Sequence, residues 1–409
     1  MTNIDKIQLI CIFVNSFLLS RLIIVTKLPE RLVLYLVGTK HLPLMQIVLY
    51  MLMTAAFLSF FIPNVITVLT LLPLIKILCS TFEMSLPTKY RAIATLFPLT
   101  VIYGANIGGM GSITGTPANG IMVAYATLSQ LPGIEYLTFA YWLLWGIPVV
   151  MVLVLTAWTV LTVSFRLWNY HSDLVQIAFP QYHAFHPLQP VAIKLTLGFF
   201  LSFIFFSILM KISSAKLLIL LLTAASTLLL LAFLFLIPLH PPGHVPPRRL
   251  LTLRDCYSHL PWRGLVVVGI ILVIIGIGAL LNLQDHIVRL FGTIFQQAKP
   301  TVSFYLALAV LTSFATELLS NTVVQFAMFT VVLPLLETTD LTAFQAFLII
   351  TLSCTCAFMS PIATGVNGLA FGEIKGISVF KMLVTGLVMK LLGIGVIAFG
   401  VPVLLQWIF

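Results

Sequence analysis

The stretch from Thr301 to Glu337 constrains the fold most strongly, because it places a polar cluster in the middle of an apolar run. Its centre, residues 316–322, reads TELLSNT. About 20 helical residues cross a bilayer core of about 30 Å, so this run is too long for one helix and fits two half-helices that meet at a polar tip. We therefore predict a re-entrant helical hairpin over residues 301–337 whose tip binds an ion or an anion.

The composition predicts an all-α polytopic membrane protein. Of 409 residues, 60% are hydrophobic and 8% are charged, and the mean hydropathy is +1.14. The long apolar runs differ from the alternating strands of an outer-membrane barrel. The net charge of +10 is spread through short loops, as the positive-inside rule arranges it. We expect a multi-pass protein of the cell membrane, the inner membrane in a bacterium, with lipid and no nucleic acid among its partners.

Residues with catalytic or metal-binding chemistry are absent from the predicted midplane. The eight histidines lie in loops or at segment ends, and the five cysteines have no metal-ligand spacing. An intramembrane protease or lipid transferase needs a mid-membrane histidine cluster, paired aspartates or a nucleophile with a base. We therefore expect no enzymatic activity and no cofactor.

The polar interruptions occur in two matching sets. A second hairpin is predicted over residues 43–80, where Ile62-Pro63-Asn64 interrupts the apolar run. Each hairpin is followed by a broken span, over residues 91–127 with a glycine-rich break at 104–120, and over residues 342–372 with a break at 360–368. Matching hairpins and broken helices predict inverted repeats, which are typical of a secondary transporter with a midplane site.

The predicted organisation has three parts. Residues 1–165 form the first repeat, with a span, the hairpin 43–80, the broken helix 91–127 and a closing span. Residues 166–261 contain a connecting loop, two spans and a basic loop. Residues 262–409 form the second repeat core, with a span, the hairpin 301–337, the broken helix 342–372 and a last span. The basic residues of the loops favour eight spans, opposed hairpins and both termini outside.

Hairpin tips and helix breaks bring helix ends to the same depth in the membrane. There the free N–H groups of helix N-termini suit an oxyanion, and carbonyl and hydroxyl oxygens suit Na⁺. The candidate donors are Ser320, Asn321, Thr322, Thr364, Asn367, Ser112, Thr114, Thr116 and Asn119. Each hydroxyl is also suited to bonding the carbonyl one turn back, and Asn64 and Asn321 are also suited to capping the second arms of the hairpins.

The few charged side chains inside apolar segments receive separate predictions. Glu317 fits a cation or proton site, or a partner for backbone groups at the tip, and we favour the second. Arg21, Lys76 and Lys390 lie near segment ends and are expected to extend towards the interface.

Four motifs resemble the divalent anion/sodium symporter family, which carries dicarboxylates, citrate or sulfate: TELLSNT at 316–322, the segment 357–364 with Asn367, NIGGMGSITGTPAN at 106–119 and LPW at 260–262. The resemblance implies a secondary anion symporter that moves in an elevator-like manner as a homodimer, with Na⁺ as the coupling ion. It implies one sodium site from Thr316, Ser320, Asn321 and Ala363, and another from Ser59, Asn64 and Gly109. The predicted substrate-binding residues are Asn64, Thr116, Asn119, Ser320, Asn321, Thr322, Thr364 and Asn367.

The chain departs from the family pattern at the first tip and in the second helix break. Pro63-Asn64-Val65 stands where the family has Ser-Asn-Thr, and Gly365-Val366 replaces the usual Pro-Pro. The loss of two hydroxyls keeps three alternatives to two-site sodium symport open: coupling through a single site, anion exchange and proton coupling. The rival functions are an arsenite or cation/proton permease of the same architecture and a substrate-sensing receptor.

Overall fold

A computed structural model describes residues 3–37, 41–85, 90–129, 131, 133–170, 175–176, 188–239, 247–257, 273, 302–333, 336, 341–361, 363–364, 367–368, 370–371, 374 and 376–408. The predicted span at 262–283 falls outside the described residues except for residue 273, and so stays a prediction.

The described part of the chain is helical. Its first helices are α1 Asn3–Val25, α2 Leu28–Val37, α3 Leu44–Ser59, α4 Asn64–Ser85, α5 Tyr90–Gly109, α6 Pro117–Leu128 and α7 Phe139–Ser164. Then follow α8 Gln189–Ile212, α9 Lys216–Phe235 and α10 Leu253–Tyr257. The last are α11 Val302–Ala315, α12 Asn321–Val332, α13 Leu341–Cys354, α14 Val379–Gly395, a π-helical segment Val396–Gly400, and α15 Val401–Ile408.

Short elements complete the description. Two 3₁₀ turns cover Ile134–Tyr136 and Leu167–Tyr170. Two-residue strands, β1 His41–Leu42 and β2 Val175–Gln176, pair antiparallel with His41 opposite Gln176. An isolated bridge joins Leu239 and Arg248.

The prediction of a polytopic helical membrane protein is confirmed. Among the described residues, six helices are long and apolar enough to cross a membrane: Ile4–Val25, Asn64–Met84, Phe139–Ser164, Gln189–Ile212, Lys216–Phe235 and Val379–Ile408. Shorter apolar helices, including Leu44–Ser59, Val302–Ala315 and Asn321–Val332, flank the two predicted tips. The arms of the first hairpin are unequal, with 16 residues in α3 and 22 in α4, so α4 ends at Ser85 rather than at residue 80.

The first helix break is narrower than the predicted segment 104–120. Helix α5 continues through Gly104 and Gly108 to Gly109, and α6 begins at Pro117 with Thr116 as its N-cap. A Cβ atom added at Gly104 would lie 2.6 Å from the carbonyl oxygen of Leu52, and one at Gly108 would lie 2.1 Å from that of Ala56. These glycines therefore allow α3 to pack closely on α5, which is a different role from breaking the helix.

Helix α8 begins at Gln189, before the predicted start of its span at residue 195. Pro190 is tolerated there because the first turn of a helix needs no N–H donor. The buried amide of Gln189 donates to the carbonyl oxygens of Thr26 (2.8 Å) and Lys27 (3.2 Å), which stabilises this start.

The first and last parts of the chain pack against each other through α12. Gln325 of α12 is fully buried and donates to the carbonyl oxygen of Ala118 in α6 (2.8 Å) and to Oγ1 of Thr351 in α13 (3.0 Å). The rings of Phe329 and Phe347 stack with centroids 4.3 Å apart. The helix breaks and tips described below therefore lie inside one packed assembly.

Candidate ion and anion site

The second helix break is closed by Asn367, which is fully buried. Its Nδ2 donates to the carbonyl oxygens of Ala357 (3.0 Å) and Ser360 (2.8 Å). Thr364 Oγ1 donates to Asn367 Oδ1 (3.0 Å) and accepts from the Asn367 backbone N–H (3.2 Å). The side chain of Asn367 thus replaces helical hydrogen bonds that the break removes.

The first helix break is closed in the same way. Asn119 Nδ2 donates to the carbonyl oxygens of Gly109 (2.9 Å) and Ser112 (2.8 Å), and its backbone N–H donates to Thr116 Oγ1 (3.4 Å). In both breaks the amide bonds carbonyls seven and ten residues earlier, and a threonine three residues earlier caps it. The sequence match between Asn119 and Asn367 therefore extends to their hydrogen bonds.

Asn106 joins the first tip to both breaks. Asn64 Nδ2 donates to Asn106 Oδ1 (2.9 Å), and Asn106 Nδ2 donates to the carbonyl oxygen of Ala357 (3.4 Å), which Asn367 also contacts. Asn64 Oδ1 accepts from the backbone N–H of Val65 (3.1 Å) at the start of α4. Asn106 was not among the predicted site residues, although it opens the glycine-rich motif.

Two of the three sodium ligands predicted for the first half, Ser59 and Gly109, lie close together, whereas the side chain of Asn64 is bonded to Asn106. A Cβ added at Gly109 would lie 3.4 Å from Ser59 Oγ and 2.4 Å from Thr116 Cγ2, so these groups surround the end of α5. Ser59 Oγ and Asn119 Oδ1 are buried and have no hydrogen-bond partner in the described part of the chain. Buried oxygens of this kind are rare without a partner, and hydroxyl and amide oxygens are suitable ligands for a hard cation.

The second tip carries the other predicted sodium ligands. Thr316 is fully buried and donates to the carbonyl oxygen of Ser313 (3.0 Å). Asn321 Oδ1 is buried without a partner in the described residues, whereas Ser320 is exposed and its side chain does not cap α12. Ala363 is buried, and Thr322 and Thr364 are partly buried. No described hydrogen bond joins Ser320, Asn321 or Thr322 to Thr364 or Asn367.

Glu317 and Lys390 form a buried ion pair between the second tip and the last span. Lys390 Nζ lies 2.8 Å from Glu317 Oε1. Glu317 also accepts from the backbone N–H groups of Met359 (3.1 Å) and Ser360 (2.7 Å). Glu317 was predicted to pair with backbone groups at the tip, but its backbone partners belong to the second break, and the prediction omitted Lys390.

The prediction that Lys390 extends towards the interface is wrong. Lys390 is 0% exposed, because its position on α14 faces the second tip instead of an aqueous boundary. Arg21 is also buried, with its guanidinium 4.9 Å from the ring centroid of Phe17, so the same prediction fails there. Lys76 is exposed.

A cavity of about 280 Å³ lies beside the first tip. Its polar lining consists of Thr114 and Thr116 from the first break and Ser16 and Ser20 from α1, and Pro63 contributes the tip. The lining holds hydroxyls and aromatic rings rather than basic side chains. An anion in this cavity would depend on hydroxyls, helix N-termini and a co-bound cation for its charge balance.

Polar helix breaks within a bundle of apolar helices are typical of a membrane transport protein. The family model for the sodium:sulfate symporter transmembrane region matches residues 6–408, and the chain therefore belongs to that family of transporters. This confirms the family resemblance expected from TELLSNT and the glycine-rich motif.

Relatives of known or inferred transport activity match most of the chain. An uncharacterized transporter of Haemophilus influenzae is 25% identical over 397 residues, covering 95% of this chain and 79% of the relative. The sodium-dependent dicarboxylate transporter SdcS of Staphylococcus saprophyticus is 25% identical over 409 residues, with coverages of 95% and 75%. The Na(+)/dicarboxylate cotransporter 3 of Rattus norvegicus is 24% identical over 353 residues, with coverages of 76% and 56%.

Proposed function

We propose that this protein is a sodium-coupled symporter of a small divalent anion, either a dicarboxylate or sulfate. The observation that carries the proposal is the pair of matching helix breaks, each closed by an asparagine amide and capped by a threonine. Paired breaks of this kind place helix ends and unwound backbone beside one another, which is how secondary transporters bind their ions. The names of the relatives in Staphylococcus and Rattus support a dicarboxylate.

The anion would be held by helix N-termini and hydroxyls. Helices α4, α6 and α12 begin at Asn64, Pro117 and Asn321, next to the tips or breaks. A helix N-terminus presents free N–H groups and about half a positive charge, which favours carboxylate or sulfate oxygens. The cavity beside the first tip supplies the space for a small anion, with Thr114 and Thr116 in its wall.

Sodium would bind at two sites that contain unpartnered oxygens. Ser59 Oγ and Asn119 Oδ1 mark the first site, together with Gly109 and Asn64, and Asn321 Oδ1 marks the second, together with Thr316 and Ala363. Because Pro63 and Val65 carry no hydroxyl, the first site would rely more on Ser59 and on oxygens of the break.

Charge balance favours at least two sodium ions in each cycle. A dianion that enters with one Na⁺ carries one net negative charge into a cell whose interior is negative. That charge opposes uptake by about 2.3 kcal/mol for each 100 mV of membrane potential. Two Na⁺ remove this opposition, and each candidate site would contribute one of them. Anion exchange remains the alternative if only one site binds Na⁺.

The architecture that we propose for transport has re-entrant hairpins, inverted repeats and an elevator-like movement. The matching hydrogen bonds of the two breaks and the short helices α3, α11 and α12 at the tips support it. The homodimer proposed for this protein rests on the family resemblance. Cross-linking of single cysteines on α8 or α9 in native membranes would test whether two copies meet there.

The function is tested by uptake into proteoliposomes. Radiolabelled succinate and sulfate are offered outside, with Na⁺ or choline as the external cation and the potential clamped by valinomycin with equal K⁺ concentrations on both sides. We expect uptake of one of the two anions that requires Na⁺ and competes with the unlabelled anion. Failure of both anions to enter under an inward Na⁺ gradient would contradict the proposal. Thermal stabilisation by an anion without any flux would instead indicate a receptor.

A further inference from the structure

The Glu317–Lys390 pair lies outside both predicted ligand sets, yet both of its side chains are buried and make several hydrogen bonds. Lys390 Nζ contacts Glu317 Oε1, the carbonyl oxygen of Cys356 (2.8 Å), Oγ of Ser313 (3.0 Å) and the carbonyl oxygen of Ser313. An ammonium group has three protons, so four oxygens compete for them. These oxygens form a cage for a fixed cation, built from the second hairpin and the second break.

Hydrogen bonds connect the cage to the candidate site both at the second tip and in the second break. The carbonyl oxygen of Ser313 accepts from Lys390 and also from Thr316 Oγ1, a predicted sodium ligand. Glu317 accepts from the N–H of Ser360, whose carbonyl oxygen accepts from Asn367. The pair therefore connects the ligands of the second tip to the amide that closes the second break.

The first half of the chain makes the corresponding contact without any charge. Ser59 and Asn64 are five residues apart, as are Thr316 and Asn321, so Phe60 occupies the place of Glu317. The ring of Phe60 packs where a side chain at Gly111 would be, since a Cβ added there would lie 2.2 Å from its Cζ. The carbonyl oxygen of Phe60 accepts from Ser112 Oγ (2.7 Å). The first tip is thus held against its break by an apolar ring and a neutral hydrogen bond, without an ion pair.

This comparison weighs against a role in stability alone. A buried ion pair is often no more stabilising than well-packed apolar side chains of similar volume, because both charges lose their hydration. Among the described residues, the first tip has an uncharged contact at Phe60, and the ion pair lies beside the tip that carries Ser-Asn-Thr. The comparison therefore directs attention to what charge and directed hydrogen bonds supply that an apolar ring does not.

We propose that Lys390, acting through Glu317, is a positioning residue that holds the second tip and the second break in the geometry needed to bind Na⁺ and the anion. This proposal rests on the proposed function, since it assigns the pair to that site. Directed bonds fix the orientation of Thr316 and of the segment 359–360, whereas the Phe60 ring fixes only a distance. Neutralising the pair should therefore leave a folded protein whose ligands are misplaced.

The test compares three variants with the native protein. E317Q/K390M removes both charges and keeps similar volumes, so that no buried charge is left alone. K381M is the matched control, because Lys381 is exposed and lies on the same helix. S313A removes one oxygen of the cage and leaves the ion pair in place. Each variant is assayed for half-saturating Na⁺, half-saturating anion and maximal uptake in proteoliposomes, and for stabilisation by Na⁺ alone in detergent.

We expect E317Q/K390M to raise half-saturating Na⁺ about tenfold or more while maximal uptake at saturating Na⁺ stays within about threefold, the pattern of weakened binding. S313A should raise half-saturating Na⁺ about threefold, and K381M should leave it unchanged. Unchanged half-saturation for Na⁺ and anion in E317Q/K390M would overturn the proposal. If that variant does not fold, unchanged half-saturation in S313A would overturn it.

The readout in detergent separates this proposal from the proposed function. Should the native protein carry neither succinate nor sulfate, the proposed function fails. Stabilisation by Na⁺ would then still be measured, and the positioning proposal requires that E317Q/K390M or S313A weakens it while K381M does not. Equal stabilisation by Na⁺ in all four proteins would reject the role of the pair independently of any transport.

Discussion

Replacing Asn119 or Asn367 with alanine removes the amide that closes a helix break. N119A should lower the free energy of unfolding at least as much as N367A does. Each amide donates two buried hydrogen bonds, each worth about 1 kcal/mol net, and Asn367 Oδ1 also accepts one from Thr364, so N119A loses about 2 kcal/mol and N367A about 3 kcal/mol. In N367A the carbonyl oxygen of Ala357 keeps the bond from Asn106. In N119A the carbonyl oxygen of Gly109 has no second donor among the described residues, which adds about 1–3 kcal/mol.

The expected free energies of unfolding are therefore reduced by about 3 kcal/mol in N367A and by about 3–5 kcal/mol in N119A. Unfolding in mixed micelles with increasing SDS measures both, with the buried indoles of Trp142 and Trp145 as fluorescent reporters. Asn15→Ala is the control, because it removes one buried bond, to Thr227 Oγ1 (2.9 Å), outside the breaks. It should lose about 1 kcal/mol. A larger loss for N367A than for N119A would refute this reasoning.

Two further predictions use matched pairs of residues. Gly108→Ala should strongly lower stability, because its Cβ would lie 2.1 Å from the Ala56 carbonyl oxygen, while Gly198→Ala, with nothing within 4 Å, should gain about 0.5–1 kcal/mol. Thermal unfolding in detergent measures both variants, and a tolerated Gly108→Ala would show that α3 and α5 can separate. Asn321→Ala should raise the half-saturating Na⁺ concentration more than Asn64→Ala, because Asn321 Oδ1 is unpartnered and Asn64 is bonded to Asn106 and Val65. Uptake assays compare the two variants, and equal effects would contradict the assignment of Asn321 Oδ1 as a sodium ligand.

The helix breaks could be predicted from the sequence because their causes are local. Glycine, proline and asparagine at 104–120 and 360–368 disfavour a continuous helix, and a threonine three residues before an asparagine is a typical cap. The extent of the first break could not be predicted in the same way. Gly104 and Gly108 also disfavour a helix on propensity alone, but contact with α3 keeps them helical. A tertiary contact therefore decided what propensity left open.

The ion pair shows a second limit of sequence reasoning. Glu317 and Lys390 lie on different helices, and a charged residue near the end of an apolar segment is ordinarily expected to reach water. Nothing in the pattern around Lys390 indicates that its face of α14 meets the second tip. The signal that existed was Glu317 itself, a carboxylate in a hairpin that required a partner once it was buried.

The asymmetry between the two tips now has two physical components instead of one. The sequence alone indicated that the first tip lost hydroxyls at Pro63 and Val65. The structure adds that the first tip is held by the ring of Phe60 and by neutral hydrogen bonds, whereas the second is also held by charge through Glu317. Hydroxyls that must meet a cation need fixed orientations, and directed hydrogen bonds supply these better than ring packing does. The second tip has both the hydroxyls and the ion pair. The occurrence of both features at one tip supports the proposal that this tip binds the ion.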